Sequence, residues 1–220
     1  MTVALVTGAN RGIGLEFCRQ LRARGDEVVA VCRKASPELR KLDVEVVEGV
    51  DITDASHVAA LASKLAGKKL DLLINNAGIL DGDSLEALDF SALNRQMEVN
   101  AWGPLRVTHA LLPNLTKGSK IALITSRMGS IGDNGSGGYY GYRMSKAALN
   151  MAGVSLARDL GPRGIAVGIL HPGMVRTQMT SDHGTLTPAE AVAGLLARID
   201  ELSLDTTGSF RHGNGEALPW

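Results

Sequence analysis

Tyr142 and Lys146 lie four residues apart and form the pair in this chain whose types and spacing best suit proton transfer. Residues at this spacing share one face of a helix. A phenol has a pKa of about 10 and exchanges protons poorly at neutral pH, but a nearby ammonium favours the phenolate and lowers that pKa. The spacing therefore predicts that Tyr142 serves as a general acid or base beside Lys146.

All three tyrosines of the 220-residue chain fall in this one stretch. On the same helix, Tyr139 would face Arg143 and Tyr140 would face Met144, so only Tyr142 meets an ammonium. A tyrosine and a lysine at this spacing also arise by chance, and the pair alone is a weak pattern. We interpret Tyr139 and Tyr140 as packing or pocket-wall residues.

A glycine-rich turn, TGANRGIG, follows the first apolar run and precedes the first amphipathic one. Gly8, Gly12 and Gly14 would let the backbone turn sharply and approach a pyrophosphate at the start of a helix. No GK[ST] sequence follows, so the turn is not a P-loop. A tight turn without a ligand is the alternative interpretation, and the flanking strand and helix favour the dinucleotide site.

Basic residues stand where a dinucleotide site faces the adenosine ribose. Arg33 and Lys34 end the second apolar run, Arg11 lies in the glycine turn, and no acid stands at the end of that run. An acid there favours a free 2′-hydroxyl and a base favours a 2′-phosphate. The sequence therefore predicts NADP(H) as cofactor, with solvated surface charges as the alternative.

Two further strand ends carry polar residues. Asp51 could accept a hydrogen bond from the adenine amino group, or it could cap the next helix, a place that Thr53 or Asp54 could also fill. The NNAG sequence, Asn75 to Gly78, closes another strand beside the expected ligand, with a plain turn as its alternative.

Short apolar runs alternate with longer amphipathic segments along the chain, a pattern typical of a parallel sheet covered on both faces. Strands are predicted at 3–8, 26–33, 44–51, 70–78, 120–126 and 164–173, with a last edge strand at 208–212. Helices are predicted at 14–25, 53–67, 91–115, 146–161 and 187–200, the third bent or reset at Pro104. We therefore expect one doubly wound α/β domain (a Rossmann fold) over residues 1–220.

Composition excludes several classes of protein. The 23 basic residues balance the 23 acidic ones, which gives no reason to expect nucleic acid or an anionic membrane as partner. Only Cys18 and Cys32 are present, and no signal peptide or apolar span is visible, so we expect a cytoplasmic protein. His171 and His183 lack metal-ligand spacing, so we predict no metal site. We interpret both histidines as structural, with a role in substrate contact as the alternative.

Together, TGANRGIG, NNAG and YRMSK, in this order, resemble the short-chain dehydrogenase/reductase family over essentially the whole chain. The stretch TSRMGSIGDNGSGGYYGYRMSKAALN and the ending GEALPW are more narrowly similar to a branch with sniffer-type carbonyl reductases and C-factor. The resemblance implies NADPH-dependent interconversion of a carbonyl (aldehyde, ketone or quinone) and an alcohol. A C-factor-like signal or sensor protein with little turnover is the alternative.

The resemblance also implies catalytic roles. Ser126 would hydrogen-bond the substrate carbonyl, Tyr142 would donate the proton, Lys146 would lower the tyrosine pKa and bind the nicotinamide ribose, and Asn100 would support a water relay to Lys146. Ser126 lies sixteen residues before Tyr142 and Ser130 twelve, on either side of the usual family spacing. Ser126 is preferred because it ends a strand, and Ser130 stays a rival.

The remaining expectations concern the cofactor and partners. The residues predicted to contact the cofactor are Gly8, Asn10, Arg11, Gly12, Ile13, Gly14, Arg33, Asp51, Ile52, Asn76, Ala77, Gly78, Tyr142, Lys146, Pro172, Val175 and Thr177. The substrate is expected to be a small carbonyl compound in an open pocket. The resemblance implies a homodimer or homotetramer that pairs through segments 91–115 and 146–160, with small residues such as Ala152 and Gly153 at the contact.

Overall fold

A single sheet of seven parallel strands forms the centre of the computed structural model, which describes residues 2–220. In chain order the strands are β1 (Val3–Thr7), β2 (Glu27–Val31), β3 (Glu45–Val47), β4 (Leu70–Asn75), β5 (Leu115–Ile124), β6 (Ala166–His171) and β7 (Phe210–His212). Their order across the sheet is β3-β2-β1-β4-β5-β6-β7. The last edge strand predicted from sequence is thereby confirmed, as β7 pairs with β6.

Helices cover both faces of this sheet. They are α1 (Gly12–Ala23), α2 (Pro37–Arg40), α3 (Ala55–Lys64), α4 (Phe90–Met97), α5 (Gly103–Ala110), α6 (Tyr140–Leu160) and α7 (Pro188–Glu201). Successive strand residues point to opposite faces: Leu5 joins the core beneath α3, α5 and α6, whereas Val6 joins the core beneath α1 and α7. The doubly wound, single-domain Rossmann fold predicted from sequence is confirmed.

The sheet changes winding direction between β1 and β4, which are neighbours although two strands separate them in sequence. In doubly wound sheets, a crevice for ligands opens at this point, beyond the carboxyl ends of the strands. The glycine turn after β1 and the Asn-rich turn after β4 therefore meet at one edge.

The single long helix predicted over residues 91–115 is divided. Pro104 has no N–H to donate to the Asn100 carbonyl four residues before it, and the turn Glu98–Trp102 widens into a π-helix between α4 and α5. Such widened turns are frequent at functional sites. The prediction of a reset at Pro104 is confirmed, but α5 ends at Ala110, and β5 begins at Leu115 rather than at residue 120.

Helix α6 begins at Tyr140, six residues before the start predicted from sequence. Its glycine at position 153 is buried against the sheet, where an added Cβ would lie 2.7 Å from side-chain atoms of Ile169. Because Gly153 has no side chain, β6 can pack closely against α6 at this point. Gly153 faces the sheet and not a partner subunit, so its predicted place at a subunit contact is wrong. Within residues 2–220, none of the helices has the length and apolar character needed to cross a membrane.

Candidate active site

The glycine turn between β1 and α1 has a backbone conformation that depends on its glycines. Gly8 and Gly12 adopt left-handed φ values of 66° and 53°. A Cβ on Gly14 would lie 2.2 Å from the Gly8 carbonyl oxygen, so only glycine permits this closure. The side chain of the N-cap residue Arg11 does not cap α1, and no acid lies in the first turn. The helix start thus fits an anion.

Asn76 connects the glycine turn to the end of β4 through hydrogen bonds. Its Nδ2 donates to the carbonyl oxygens of Thr7 at 3.0 Å and Gly8 at 3.4 Å. Its backbone N–H donates to the Thr7 hydroxyl at 3.0 Å. Asn76 therefore holds the glycine turn in place, while it also lines the cleft in front of that turn.

A cleft of about 370 Å³ runs along this edge of the sheet. Every residue predicted from sequence to contact the cofactor lines it, except Val175, whose side chain is buried. Sequence reasoning missed nine of the lining residues: Val31, Cys32, Val50, Ile79, Val99, Ile124, Thr125, Gln178 and Met179. The position of several of these at strand ends was a usable signal, but Val99, in the π-helical turn, gave none.

Basic groups lie at one end of the cleft. Arg11 donates to the Gln178 side chain at 2.8 Å, and Arg33 is an exposed lining residue, whereas Lys34 does not line the cleft. Burial raises the pKa of Asp51, but hydrogen bonds from Thr53 and the charge of Arg33 outweigh burial and hold that pKa below its usual value.

The helix-cap interpretation of Asp51 is wrong. The residue that caps α3 is Asp54, whose carboxylate accepts from the N–H groups of Ser56 and His57. Asp51 is instead fixed by Thr53, whose backbone N–H and hydroxyl donate to it at 2.9 and 2.8 Å. A carboxylate held in this way presents an acceptor to the cleft.

Tyr142 is buried in the first turn of α6, with its side chain on the cleft wall. Burial raises the pKa of its phenol to about 12, and a hydrogen bond with Ser126 opposes that rise. The phenol therefore stays protonated at neutral pH. Ser126 lies just beyond the end of β5, and its Oγ also accepts from the N–H of Met128 at 3.1 Å.

Lys146 lies one turn further along α6 and is also buried. Its Nζ donates to the Ile124 carbonyl at 3.0 Å and lies 5.7 Å from the centroid of the Tyr142 ring. Burial lowers the pKa of Lys146 to about 8. The spacing predicts a lowered pKa for Tyr142, but burial of the phenol dominates and raises that pKa. Stabilisation of the phenolate by Lys146 stays a prediction.

The two rival serines have different surroundings. Ser126 lies beside the Tyr142 phenol and acts to lower its pKa. Ser130 donates its hydroxyl to the Trp220 carbonyl at 3.2 Å and accepts from the N–H of Asp133 at 3.1 Å. The Ser130 hydroxyl is therefore already used in hydrogen bonds to Trp220 and Asp133. The geometry favours Ser126 as the serine beside the phenol.

The Asn100 side chain uses its hydrogen-bonding groups within the protein. Its Oδ1 accepts from the Ile79 N–H at 2.8 Å, and its Nδ2 donates to the Ile79 carbonyl at 2.9 Å and to the Ser145 hydroxyl at 3.0 Å. Asn100 thus joins the segment after β4 to the helix that carries Tyr142 and Lys146. By this geometry, its side chain is a positioning group.

The two histidines singled out in the sequence lie apart. His171 ends β6 and packs edge-on against His212, with ring centroids 4.9 Å apart. Burial lowers the pKa of His171 to about 3, so the ring is neutral. His183 is exposed in the loop after β6. These surroundings favour a structural interpretation of His171, and the role of His183 stays a prediction.

Asp83 caps α6 from the loop after β4. Its Oδ1 accepts from the Tyr140 N–H at 2.5 Å and its Oδ2 from the Gly141 N–H at 3.1 Å. We expect Asp83→Ala to lower the free energy of unfolding by about 1 kcal/mol, the usual cost of a lost cap, and Asp83→Asn to cost less. Urea denaturation measures both, with Asp205→Ala, an exposed loop position, as the control. An Asp83→Ala protein as stable as the Asp205→Ala protein would contradict this role.

Known proteins identify the family to which this arrangement belongs. Residues 2–186 match the family model described as short chain dehydrogenase. The chain is a short-chain dehydrogenase/reductase. The family is one of oxidoreductases.

Two curated relatives of this short-chain dehydrogenase/reductase are 44% identical to it. The 1-hydroxy-2-glutathionyl-2-methyl-3-butene dehydrogenase of Rhodococcus sp. matches over 226 residues, with 100% of both chains covered. The C-signal of Myxococcus xanthus matches over 164 residues, which is 73% of this chain and 99% of that protein.

Solved structures show the same fold. A carbonyl reductase from chicken fatty liver, determined with NADPH bound, is 32% identical with a TM-score of 0.89 and full coverage of both chains. The carbonyl reductase Sniffer of D. melanogaster is 28% identical with a TM-score of 0.91, covering 100% of this chain and 99% of that one. The resemblance to the branch with sniffer-type reductases and C-factor is confirmed.

Proposed function

We propose that this short-chain dehydrogenase/reductase interconverts a carbonyl compound and an alcohol with NADP(H) as cofactor. The observation that carries the proposal is a single cleft lined by Tyr142, Lys146 and the glycine turn, with Ser126 beside the Tyr142 phenol although Ser126 does not itself line the cleft. A carbonyl reductase of the same fold contains NADPH. When bound, NADPH supplies the hydride for this chemistry.

The binding groups in the cleft match the parts of this cofactor. The uncapped start of α1 suits the pyrophosphate. Arg11 and Arg33 suit a 2′-phosphate, because no acid stands at the end of β2. Asp51, with its low pKa, offers an acceptor to the adenine amino group.

The catalytic groups supply the proton for the carbonyl oxygen and stabilise the negative charge that develops during reduction. Tyr142, with a pKa of about 12, carries its proton at neutral pH and donates it to the carbonyl oxygen during reduction. Ser126 donates a hydrogen bond to the same oxygen and stabilises its developing charge. The Lys146 ammonium, over the Tyr142 ring, stabilises the phenolate that remains.

Proton resupply would run past Asn100 to Lys146. The Asn100 side chain already donates both amide hydrogens and accepts one hydrogen bond within the protein, so we infer that the water of such a relay would bind its main-chain carbonyl. In a regular helix that carbonyl would accept from residue 104, but proline has no N–H to donate. Pro104 thus leaves this oxygen without its usual α-helical donor.

The rate should depend on pH through Lys146. Its pKa of about 8 means that the ammonium is present below that pH and is lost above it. We expect kcat/KM for NADPH to fall as the pH rises through about 8. Lys146→Arg should lose this alkaline decline, whatever its absolute rate, because a guanidinium stays charged. A wild-type profile with no decline above this pH would contradict the role of Lys146.

A panel assay tests the proposed reaction. NADPH oxidation is followed with p-nitrobenzaldehyde, acetophenone and menadione. NADP⁺ reduction is followed with a primary alcohol that carries a glutathionyl group, chosen for the Rhodococcus relative's substrate. Turnover with any member supports the proposal.

A signalling protein with little turnover is the second candidate. The observation that favours it is the 44% identity to the C-signal of Myxococcus xanthus. NADPH binding without turnover on the whole panel would favour this candidate. The homodimer or homotetramer stays a prediction, and sedimentation of the purified chain tests it.

A further inference from the structure

The last four residues described, Ala217–Trp220, fold back along the edge of the sheet; we call them the C-terminal strap. Ala217 pairs with Arg211 of β7 in an antiparallel bridge, and the Leu218 N–H donates to the Phe210 carbonyl at 3.0 Å. The Leu218 side chain is buried in a small core with Phe210. The strap is therefore attached firmly to β7.

Beyond this attachment, the strap reaches the loop that follows β5. The main-chain oxygen of Trp220 accepts from the Gly132 N–H at 2.7 Å and from the Ser130 hydroxyl at 3.2 Å. The Trp220 ring stacks on Phe210 with centroids 5.4 Å apart, which fixes the residue that supplies this oxygen. Just before the strap, Glu216 forms an ion pair with Arg127 at 3.0 Å.

The loop segment that receives these contacts, Ser126–Gly132, begins with the proposed carbonyl-binding serine. It is a tight turn, because the N–H of Gly129 donates to the Ser126 carbonyl at 2.9 Å and the N–H of Ser130 donates to the Arg127 carbonyl at 2.9 Å. On its inner side, Gly129 lies against the backbone of α6, where an added Cβ would meet the Lys146 carbonyl carbon at 2.7 Å. The turn is thus held between α6 and the strap.

We propose that the C-terminal strap positions Ser126 for carbonyl binding, with Trp220 as the positioning residue. Since the turn between Ser126 and Ser130 is short and hydrogen-bonded, release at its Ser130 end would displace Ser126. A displacement of a fraction of an ångström weakens catalysis by a well-placed group. The strap is not among the residues that line the cofactor cleft, so cofactor affinity should not change. This inference rests on the proposed function.

The test compares Trp220→Ala, Trp220→Phe and Ser130→Ala with the wild type and with Leu204→Ala, which removes an exposed side chain elsewhere. Trp220→Ala removes the ring stacking on Phe210. We therefore expect kcat/KM for the best carbonyl of the panel to fall about tenfold, with the Kd of NADPH unchanged. Amide hydrogen exchange in residues 126–133 should accelerate by a similar factor. Trp220→Phe should restore both values, Ser130→Ala should resemble Trp220→Ala, and Leu204→Ala should behave as wild type.

Two results would overturn the inference. One is faster exchange in Trp220→Ala with kcat/KM unchanged, and the other is a parallel loss of activity, NADPH binding and melting temperature, which would show a purely structural role. A wild type that is inactive on the whole panel would instead refute the proposed function. In that case the exchange measurement still reports on the strap, and unchanged exchange in Trp220→Ala would overturn the contact itself.

Discussion

Replacing Tyr142 with phenylalanine is expected to lower kcat/KM for carbonyl reduction by about 10²- to 10⁴-fold, the usual contribution of a positioned general acid. The substitution removes one hydroxyl and keeps the ring that fills the buried site. The proton donor is lost while the wall of the cleft remains. NADPH binding, followed by the change in its fluorescence, should be retained, so the loss should fall on the chemical step.

The two neighbouring tyrosines supply matched controls. Tyr139 and Tyr140 are 42% and 36% exposed, which places both phenols in contact with solvent rather than buried beside Ser126. Tyr139→Phe and Tyr140→Phe make the same chemical change and should leave kcat/KM unaltered. Equal losses in all three variants, or full activity in Tyr142→Phe, would contradict the assignment of Tyr142.

Replacing Arg33 with alanine is expected to raise the Kd of NADPH about 10- to 100-fold, because a charge-assisted hydrogen bond to the 2′-phosphate is lost. The Kd of NADH should stay the same, since NADH has no phosphate at that position. The preference for NADPH over NADH should therefore shrink by the same factor. Titration of both dinucleotides by fluorescence measures this ratio directly.

Lys34 is the control for Arg33. Lys34→Ala removes the same charge from the adjacent residue, but Lys34 does not line the cleft. We expect its effect on the Kd of NADPH to be small, the contribution of an exposed charge in salt solution. If Arg33→Ala weakens the binding of NADPH and of NADH equally, then Arg33 does not bind the 2′-phosphate.

The backbone features of the site could be predicted from sequence because they are local. Parallel strands buried on both faces give continuous apolar runs, and a strand followed by closely spaced glycines and a helix places those glycines at the carboxyl edge of the sheet. Gly8, Arg33, Asp51 and Lys146 therefore fall on the cleft that their sequence positions indicate.

Features that depend on distant parts of the chain were not predictable in this way. The pKa of Tyr142 follows from burial, which depends on how the surrounding loops and helices close over α6. The start of that helix is set by Asp83, 57 residues from Tyr140 in sequence. Ser130 is engaged by Trp220, 90 residues away. No periodicity or spacing near these residues carries that information.

The proposed reaction is tested by the transfer of deuterium from NADPH labelled at nicotinamide C4 to p-nitrobenzaldehyde and acetophenone. Both C4 isotopic isomers are used, with wild type and Tyr142→Phe side by side, and the alcohols are examined by mass spectrometry. Hydride transfer from C4 with Tyr142 as proton donor predicts one deuterium on the former carbonyl carbon with one of the two isomers, and a collapse of product in Tyr142→Phe. Alcohol that carries no deuterium with either isomer, or equal labelled product from Tyr142→Phe, would contradict it.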